Sequence, residues 1–325
     1  MSNHYSRNSD FLFIYDAKMC NPNGDPDDEN KPRMDYATKT NLVSDVRLKR
    51  YIRDYLQGLG HQIFVSKVDD KTVNATERLK RLFENFEENG KKGGVDINKL
   101  EDKHIKWILS QLIDVRMFGV TMPIKAKQGT QKGSSTTFTG PIQINWGYSL
   151  NKVDLVESSS ITSHFSSETT KEQGAMGKDW RVYYSLIAFH GIISGKRAEK
   201  TNLSEDDVKL FDNAIIEAIP LEATTRSKIG QTPRLYLRLE YQDDKTFLGD
   251  LRRYVSLEEK ESLRDIEDVK LDFSKLKEKA QELKNEIEKI YLWVHPDLKE
   301  MASELSQLNN GHKFELVTLP HKIEP

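Results

Sequence analysis

Apolar and polar positions change period several times along the chain, and each change marks an element. Residues 10–20 (Asp-Phe-Leu-Phe-Ile-Tyr-Asp-Ala-Lys-Met-Cys) read as a strand. The turn Asn21-Pro22-Asn23-Gly24-Asp25-Pro26 stops it, since two prolines and a glycine cannot continue a ladder. A helix is predicted from about Thr40. At about 100° per residue, Leu48, Tyr51, Ile52, Tyr55 and Leu59 share one apolar arc, and Arg47, Lys49, Arg50 and Arg53 lie opposite. Residues 61–68 look like a second strand. From Thr76 to Leu112 the pattern is helical, broken by the turn at 89–94, and Asp114-Val-Arg-Met-Phe-Gly119 closes that section.

Strand-like alternation returns at 140–148 and again at 180–190. A helix from Ser204 to Ile219 carries Ser204 as N-cap, with Asp207 three residues on. Residues 233–241 alternate as a strand with Leu235, Leu237 and Leu239 inward. A last long helix is predicted over about Ser274 to Ile290, from the spacing of Leu276, Ala280, Leu283, Ile287 and Ile290. Strands and helices mix without a regular βαβα rhythm, which favours an α+β fold.

Composition narrows the function classes. With 325 residues the chain has room for two domains, or for one domain with a large insertion. Its net charge of −2 means that any nucleic-acid binding must come from local patches. The one cysteine, Cys20, excludes an internal disulfide and fits a reducing compartment. The start of the chain is polar and no stretch approaches 18 apolar residues, so a cytoplasmic protein with no membrane association is expected.

The candidate chemistry is binding, not catalysis. No Gly-x-x-x-x-Gly-Lys loop, Gly-x-Gly-x-x-Gly fingerprint or Gly-x-Ser-x-Gly elbow occurs, and the histidines show no metal-ligand spacing; no catalytic residue, metal or cofactor is assigned. Asp25, Asp27, Asp28 and Glu29 could hold Mg²⁺, or form a solvated loop broken up by Pro26 and Pro32. His190 reads as a core or strand-end residue. Basic groups gather in four places: residues 47–53, the acid-free loop 125–137 with Lys125, Lys127 and Lys132, Lys178 with Arg181, and Arg226 with Lys228. The cations on the first helix suit a run of phosphates, or are simply a solvated face. Met176, flanked by glycines, could wedge between bases or cap the core of a turn.

Taken in order, several segments resemble the repeated backbone subunit of type I CRISPR surveillance complexes (Cascade), in a form close to subtype I-B. They are Asn21–Pro26, Thr40–Arg50, Asp114–Gly119, Gly140–Gly147, Gly174–Gly177 and the Tyr183-to-Gly191 strand, spread over roughly residues 10–240. The resemblance implies an α+β, modified RRM-like (ferredoxin-type) palm from residues 1–70 and 180–325. Residues 71–179 would form an inserted helical fingers region, and a thumb projection would come from 150–172 or 194–204.

The implied partners are crRNA, target DNA, other copies of the chain and other Cascade subunits. By the same analogy Asn21, Asn23, Arg47, Lys49, Arg50, Arg53, Lys178 and Arg181 would contact RNA, Met176 would wedge between bases, and Lys125, Lys127 and Lys132 would face target DNA. Physically, a guide-holding protein grips the backbone and leaves sequence to base pairing. The competing expectation is a metal-dependent endoribonuclease that cuts target RNA through the acidic palm loop at Asp25.

Overall fold

The computed structural model describes residues 4–66, 75–88, 91–93, 95–97, 99–124, 134–157, 160–162, 176–258, 260–309 and 314–322. Its main sheet is built from β1 (Ser9–Cys20), β2 (Met34–Asp35), β3 (Thr40–Val43), β4 (Ile142–Ile144), β5 (Gly147–Ser149), β6 (Val182–Ile193), β7 (Gln231–Tyr241), β8 (Ile287–Val294) and β9 (Glu315–Thr318). The order is β9-β8-β7-β1-β6-β5-β3-β2, with β4 also paired to β6. All pairs are antiparallel except β8 with β9. The helices are α1 (Asp45–Gly58), α2 (Ala75–Phe83), α3 (Asp102–Gln111), α4 (Ile113–Phe118), α5 (Gly195–Thr201), α6 (Glu205–Glu222), α7 (Ser274–Glu282) and α8 (Lys299–Ser306). The fold is therefore mixed α+β around a mostly antiparallel sheet.

β1 is apolar on successive positions because both of its faces are covered. Phe11, Phe13 and Tyr15 face a core shared with Leu48, Tyr51 and Ile52 of α1 and Phe211, Ile215 and Ile219 of α6. Leu12 and Ile14 face the opposite way, against Leu235, Leu237 and Leu239 and the C-terminal layer that includes Phe273, Leu276 and Leu305. A third apolar cluster, with Phe64, Leu79, Phe83, Phe86, Ile108 and Leu112, makes a separate small core for the helical region after α1. The Ser204 cap forms as expected: its side chain accepts from Asp207 N–H, and the Asp207 carboxylate accepts from Ser204 N–H.

Three expected elements differ. The first helix starts at Asp45, because Thr40–Val43 pairs as a strand and Asn41 is locked into the sheet by bonds to Arg33 O, Ser149 and Ser185. Residues 61–66 are not a strand. The N–H groups of Phe64 and Val65 donate instead to the buried Asp114 carboxylate, at 2.8 and 3.2 Å. The last helix ends at Glu282, and Ile287–Val294 becomes a strand by pairing with β7. Its β-branched and aromatic residues suit that half-buried surface, so tertiary pairing overrides helical spacing.

Polar groups are buried with partners at two places on the sheet. On one face Arg238 grips Asp212 with two bonds (2.9 and 2.7 Å) and Glu240 at 3.0 Å, and its guanidinium lies 3.8 Å over the Tyr291 ring. On the other, Asp10 accepts from Tyr241 hydroxyl and Leu248 N–H while His190 stands 3.8 Å away. Burial lifts the Asp10 carboxyl to about 6, against the hydrogen bonds that lower it. The folded state thus holds this proton more tightly than the unfolded chain. Its contribution to stability declines as pH rises from about 4 through about 6. Asp10→Asn cannot ionise, so its stability relative to wild type is expected to rise by up to about 3 kcal/mol between pH 4 and pH 7 in urea unfolding. A pH-independent difference would show that Asp10 ionises normally.

Candidate nucleic-acid interface

Three of the four basic segments meet where β1 ends. Lys18 N–H donates to Gly230 O and Asn21 N–H to Ser227 O, both at 2.8 Å, which straps the turn 225–230 to the end of β1. Gly230 permits this contact: its φ is +109°, and a Cβ there would stand 2.4 Å from Lys18 O. The Gln231 side chain donates to Tyr51 hydroxyl at 3.0 Å and to Lys228 O at 2.9 Å, so the turn is tied to α1 as well. α1 and α6 run antiparallel: Tyr55 bonds Glu217, and Glu222 lies near Arg50 and Asp54. The start of α1 is therefore brought beside the turn that follows α6.

Two cations are left without a counter-charge in this corner. The Arg47 guanidinium lies 4.1 Å over the Tyr51 ring, and its Nε is enclosed without a hydrogen-bond partner. Lys228 Nζ donates 2.6 Å to Asn21 O. Among the described residues neither Arg47 nor Lys228 forms an ion pair. Burial, with the Arg47 charge beside it, pulls the Lys228 ammonium down to about 8. Cys20 in the same corner is buried, and burial pushes its thiol up to about 12, so it is no counter-ion. Two like charges held together in a partly desolvated place repel one another; an anion between them removes that cost.

Around this pair lie further cations that are already engaged. Arg181 binds Asp179 through two nitrogens at 2.9 and 2.8 Å and donates to Met19 O at 2.7 Å. Arg226, largely exposed, approaches Asp179 at 3.7 Å. Lys178 pairs with Glu29 at 2.6 Å and lies, with Lys31, over the Trp180 ring. The Lys178–Glu29 pair is exposed, and its net worth is small enough for a phosphate to compete with the carboxylate; the bidentate Arg181–Asp179 pair is partly buried.

The cations of α1 are not equivalent. Helical spacing sets all four opposite the apolar arc, yet Lys49 and Arg53 are buried, 8% and 9% exposed. Lys49 pairs with Asp45 at 2.8 Å, and Arg53 with Asp114 at 3.1 Å. The helical region after α1 covers that side, a neighbour no local spacing reveals, so Arg53 anchors the 61–66 segment through Asp114. Arg50 is partly exposed and bonds Asp54 at 2.7 Å. Only Arg47 opens, uncompensated, onto the corner.

The asparagines of the first turn hold structure. Asn21 is 1% exposed and its Nδ2 donates to Asn30 O, while Asn23 Oδ1 accepts from Ser44 N–H and hydroxyl, fixing the entry to α1. In the acidic loop the Asp25 carboxylate accepts from Asp27 N–H and from Arg33 at 2.9 Å, and Asp28 pairs with Lys31. Among the described residues no group of three His, Cys, Asp or Glu side chains is arranged to hold a metal.

Other segments quoted in the sequence have structural roles too. Arg116 clasps Asp207 with bonds of 2.9 and 2.8 Å. Gly119, at φ +72°, lets its backbone pass against Phe138 and Gly140, where a Cβ would stand 2.1 Å from Phe138 O. Met176 lies on the two-stranded ribbon Ser160–Thr162 with Met176–Lys178, but its side chain is outside the described residues. Lys125, Lys127 and Lys132 are outside them entirely. Of the two thumb stretches, 194–204 is largely helix α5, packed through Ala198 and Leu203 into the main core. No helix among the described residues is long and apolar enough to cross a membrane.

Lys228 stood in the sequence as one of an ordinary basic pair. Only its partner Arg47, 181 positions earlier, makes it notable.

The family model described as CRISPR-associated protein Cas7 matches residues 7–274. A CRISPR-associated protein Cas7 from Haloferax volcanii is 35% identical over 300 residues, covering 87% of this chain and 86% of its own length. Among solved structures, a chain of a CRISPR RNA-guided surveillance complex described as pre-nicking aligns at 14% identity and TM-score 0.47, over 87% of this chain and 91% of that one. A second CRISPR RNA-guided surveillance complex aligns at 13% identity and TM-score 0.47, over 89% and 90%.

Proposed function

The chain belongs to the CRISPR-associated protein Cas7 family, and from that premise we propose that it is a non-catalytic crRNA-binding backbone subunit of a type I interference complex. Copies would line up along one guide RNA, beside other subunits of the complex in the cytoplasm, and present the guide to target DNA. The observation that carries this role is the corner at Arg47 and Lys228. Among the described residues it holds two cations with no carboxylate partner, at the end of the central strand, with Arg181 and Arg226 close to the same strand end. A polyanion supplies the missing charge without any contact to a base, as a guide of arbitrary sequence requires.

In this role β1, α1, β5, β6, α6 and β7 serve as the RRM-like palm. The support is topological: strand–helix–strand–strand–helix–strand, in the order β7-β1-β6-β5, with both helices on one face. Residues 71–179, apart from the strands β4 and β5 that join the main sheet, supply the fingers insertion, whose core is the separate Phe83 and Phe86 cluster. The ribbon carrying Met176 is the thumb-side element, with Met176 as the base wedge. Lys125, Lys127 and Lys132 face target DNA. Asn21 and Asn23 shape the RNA-facing loop, Arg50, Lys178 and Arg181 touch phosphates at its rim, and Lys49 and Arg53 hold α1 in place behind them. Asp25 is tied to Arg33, which favours a structural loop over a metal-binding one.

The test is to purify the chain together with a CRISPR transcript. A high-mass species carrying RNA of one defined length, its bases reactive at regular intervals, is expected. Incubated with target RNA and Mg²⁺, that species should leave the RNA intact. Regular cleavage abolished by Asp25→Ala would replace the binding role by the nuclease one, and a nucleic-acid-free product would remove both.

A further inference from the structure

Lys228, like Arg47, stands apart from the other basic residues around the corner. Arg181 and Lys178 have carboxylate partners, and the α1 cations Lys49, Arg50 and Arg53 have theirs. The groups that face Lys228 are the Arg47 guanidinium from α1, the Cys20 thiol from the end of β1 and the Asn21 carbonyl beyond it. None of them is an anion near neutral pH. Arg181, just before β6, and Asp16 of β1 also act on Cys20, but Asp16 is already paired with Arg234 at 2.9 Å and Asp179 is shared between Arg181 and Arg226.

We propose that Lys228 and Arg47 form a single seat for one phosphodiester of the bound RNA, and that filling the seat draws a proton onto Lys228. This rests on the guide-binding role and deepens it: the two side chains act on one phosphate, as a pair, and not on two neighbours in a row. The geometry sets the coupling. Arg47 is held in place by stacking on Tyr51, so it cannot retreat from Lys228. Lys228 is held by its bond to Asn21 O, and the Gly230 turn fixes the backbone beneath it. With the seat empty, burial and the fixed guanidinium favour loss of the ammonium proton, which places Lys228 close to half-charged at about pH 8. A phosphate reverses the local charge and restores the full ammonium. RNA binding then carries a proton with it at each subunit.

The consequence is a pH dependence that an ordinary surface lysine would not give. Between pH 7 and pH 9 the intrinsic affinity of each seat is expected to fall about tenfold, because the charged fraction of Lys228 falls by that factor. Lys228→Arg keeps the charge at every pH, so its affinity should stay level over that range. Lys228→Met should bind weakly and without the pH dependence.

The experiment measures binding of a guide-length RNA by fluorescence anisotropy from pH 6.5 to 9 for wild type, Lys228→Arg and Lys228→Met. Calorimetry of the wild type alone, in two buffers of different ionisation enthalpy at pH 8, counts the protons taken up per subunit and does not depend on any variant folding. A fractional proton uptake that follows a midpoint near 8, levelled by Lys228→Arg, supports the seat. RNA binding with no proton uptake, or with the same pH profile in wild type and Lys228→Arg, overturns the seat and leaves the guide-binding role standing. Absence of RNA binding at every pH in all three proteins overturns the seat together with that role.

Discussion

Arg47→Glu is expected to lower affinity for guide RNA by about a hundredfold or more at moderate salt. A charge-assisted contact contributes about 1.5–3 kcal/mol, and the substitution removes two of them. One is the guanidinium itself. The other is Lys228, which a carboxylate placed beside it would capture as an internal ion pair. The slope of log affinity against log salt should flatten by about 0.7, because one phosphate of a single strand is no longer neutralised. The protein itself should unfold no more easily, because the repulsion between Arg47 and Lys228 is relieved. Arg50→Glu separates this seat from a general basic helix face. Arg50 already bonds Asp54 at its partly exposed site, so its reversal should cost under about tenfold. Equal losses for the two variants would make α1 an undifferentiated cationic surface, and an unchanged salt slope for Arg47→Glu would remove it from the interface.

Arg238→Met should destabilise the fold by about 3–5 kcal/mol, seen as a lower urea midpoint with an unchanged slope. Arg238 is 1% exposed and is the shared partner of Asp212 on α6 and Glu240 on β7, both fully buried. Methionine fills much of the space but leaves buried Asp212 without its arginine and Glu240 with Arg7 alone, 3.5 Å away. Tyr236 and His321 still bond Asp212, and Tyr5 still bonds Glu240, which keeps the loss within that range. The pH dependence has a definite sign. Burial alone would raise the Asp212 carboxyl, but Arg238, with hydrogen bonds from His321 and Tyr236, holds it below the usual carboxylate range. That stabilisation is present above the unfolded value of about 4 and is lost as pH falls through the lower folded one. The gap between variant and wild type should therefore narrow below about pH 4. A variant as stable as wild type at pH 7 would show that the buried network adds nothing over apolar packing.

Local pattern was enough for some elements. The run at 10–20, the Ser204 cap with Asp207 and the alternation at 233–241 each formed where their residues indicated, since caps and strand alternation are decided within a few positions. The apolar arc of α1 packed through Leu48, Tyr51, Ile52 and Tyr55, whereas Leu59, just past the helix end, is 54% exposed. The misread segments share one cause. The 61–66 stretch and the 287–294 stretch have ambiguous local preference, and a distant group settled each: Asp114 for the first, β7 for the second.

The same division holds at the candidate site. Residue type and spacing marked the basic segments, the carboxylate loop and the ordered motifs of the family over much of the chain. They could not tell a free cation from a paired one. Arg53 and Arg47 look alike on a helical projection, yet Asp114 neutralises the first while the second stacks on Tyr51 beside Lys228. Nor could spacing show that Asn21 and Asn23 spend their side chains on the turn and the helix entry.

The sequence by itself determined the class of elements and the family, because these follow from local propensity and the order of short motifs. Only the tertiary structure decided which cations are available to an anion. Availability depends on burial and on partners as far apart as residues 47 and 228, which the antiparallel packing of α1 on α6 and the strapping of the 225–230 turn to β1 bring into one corner.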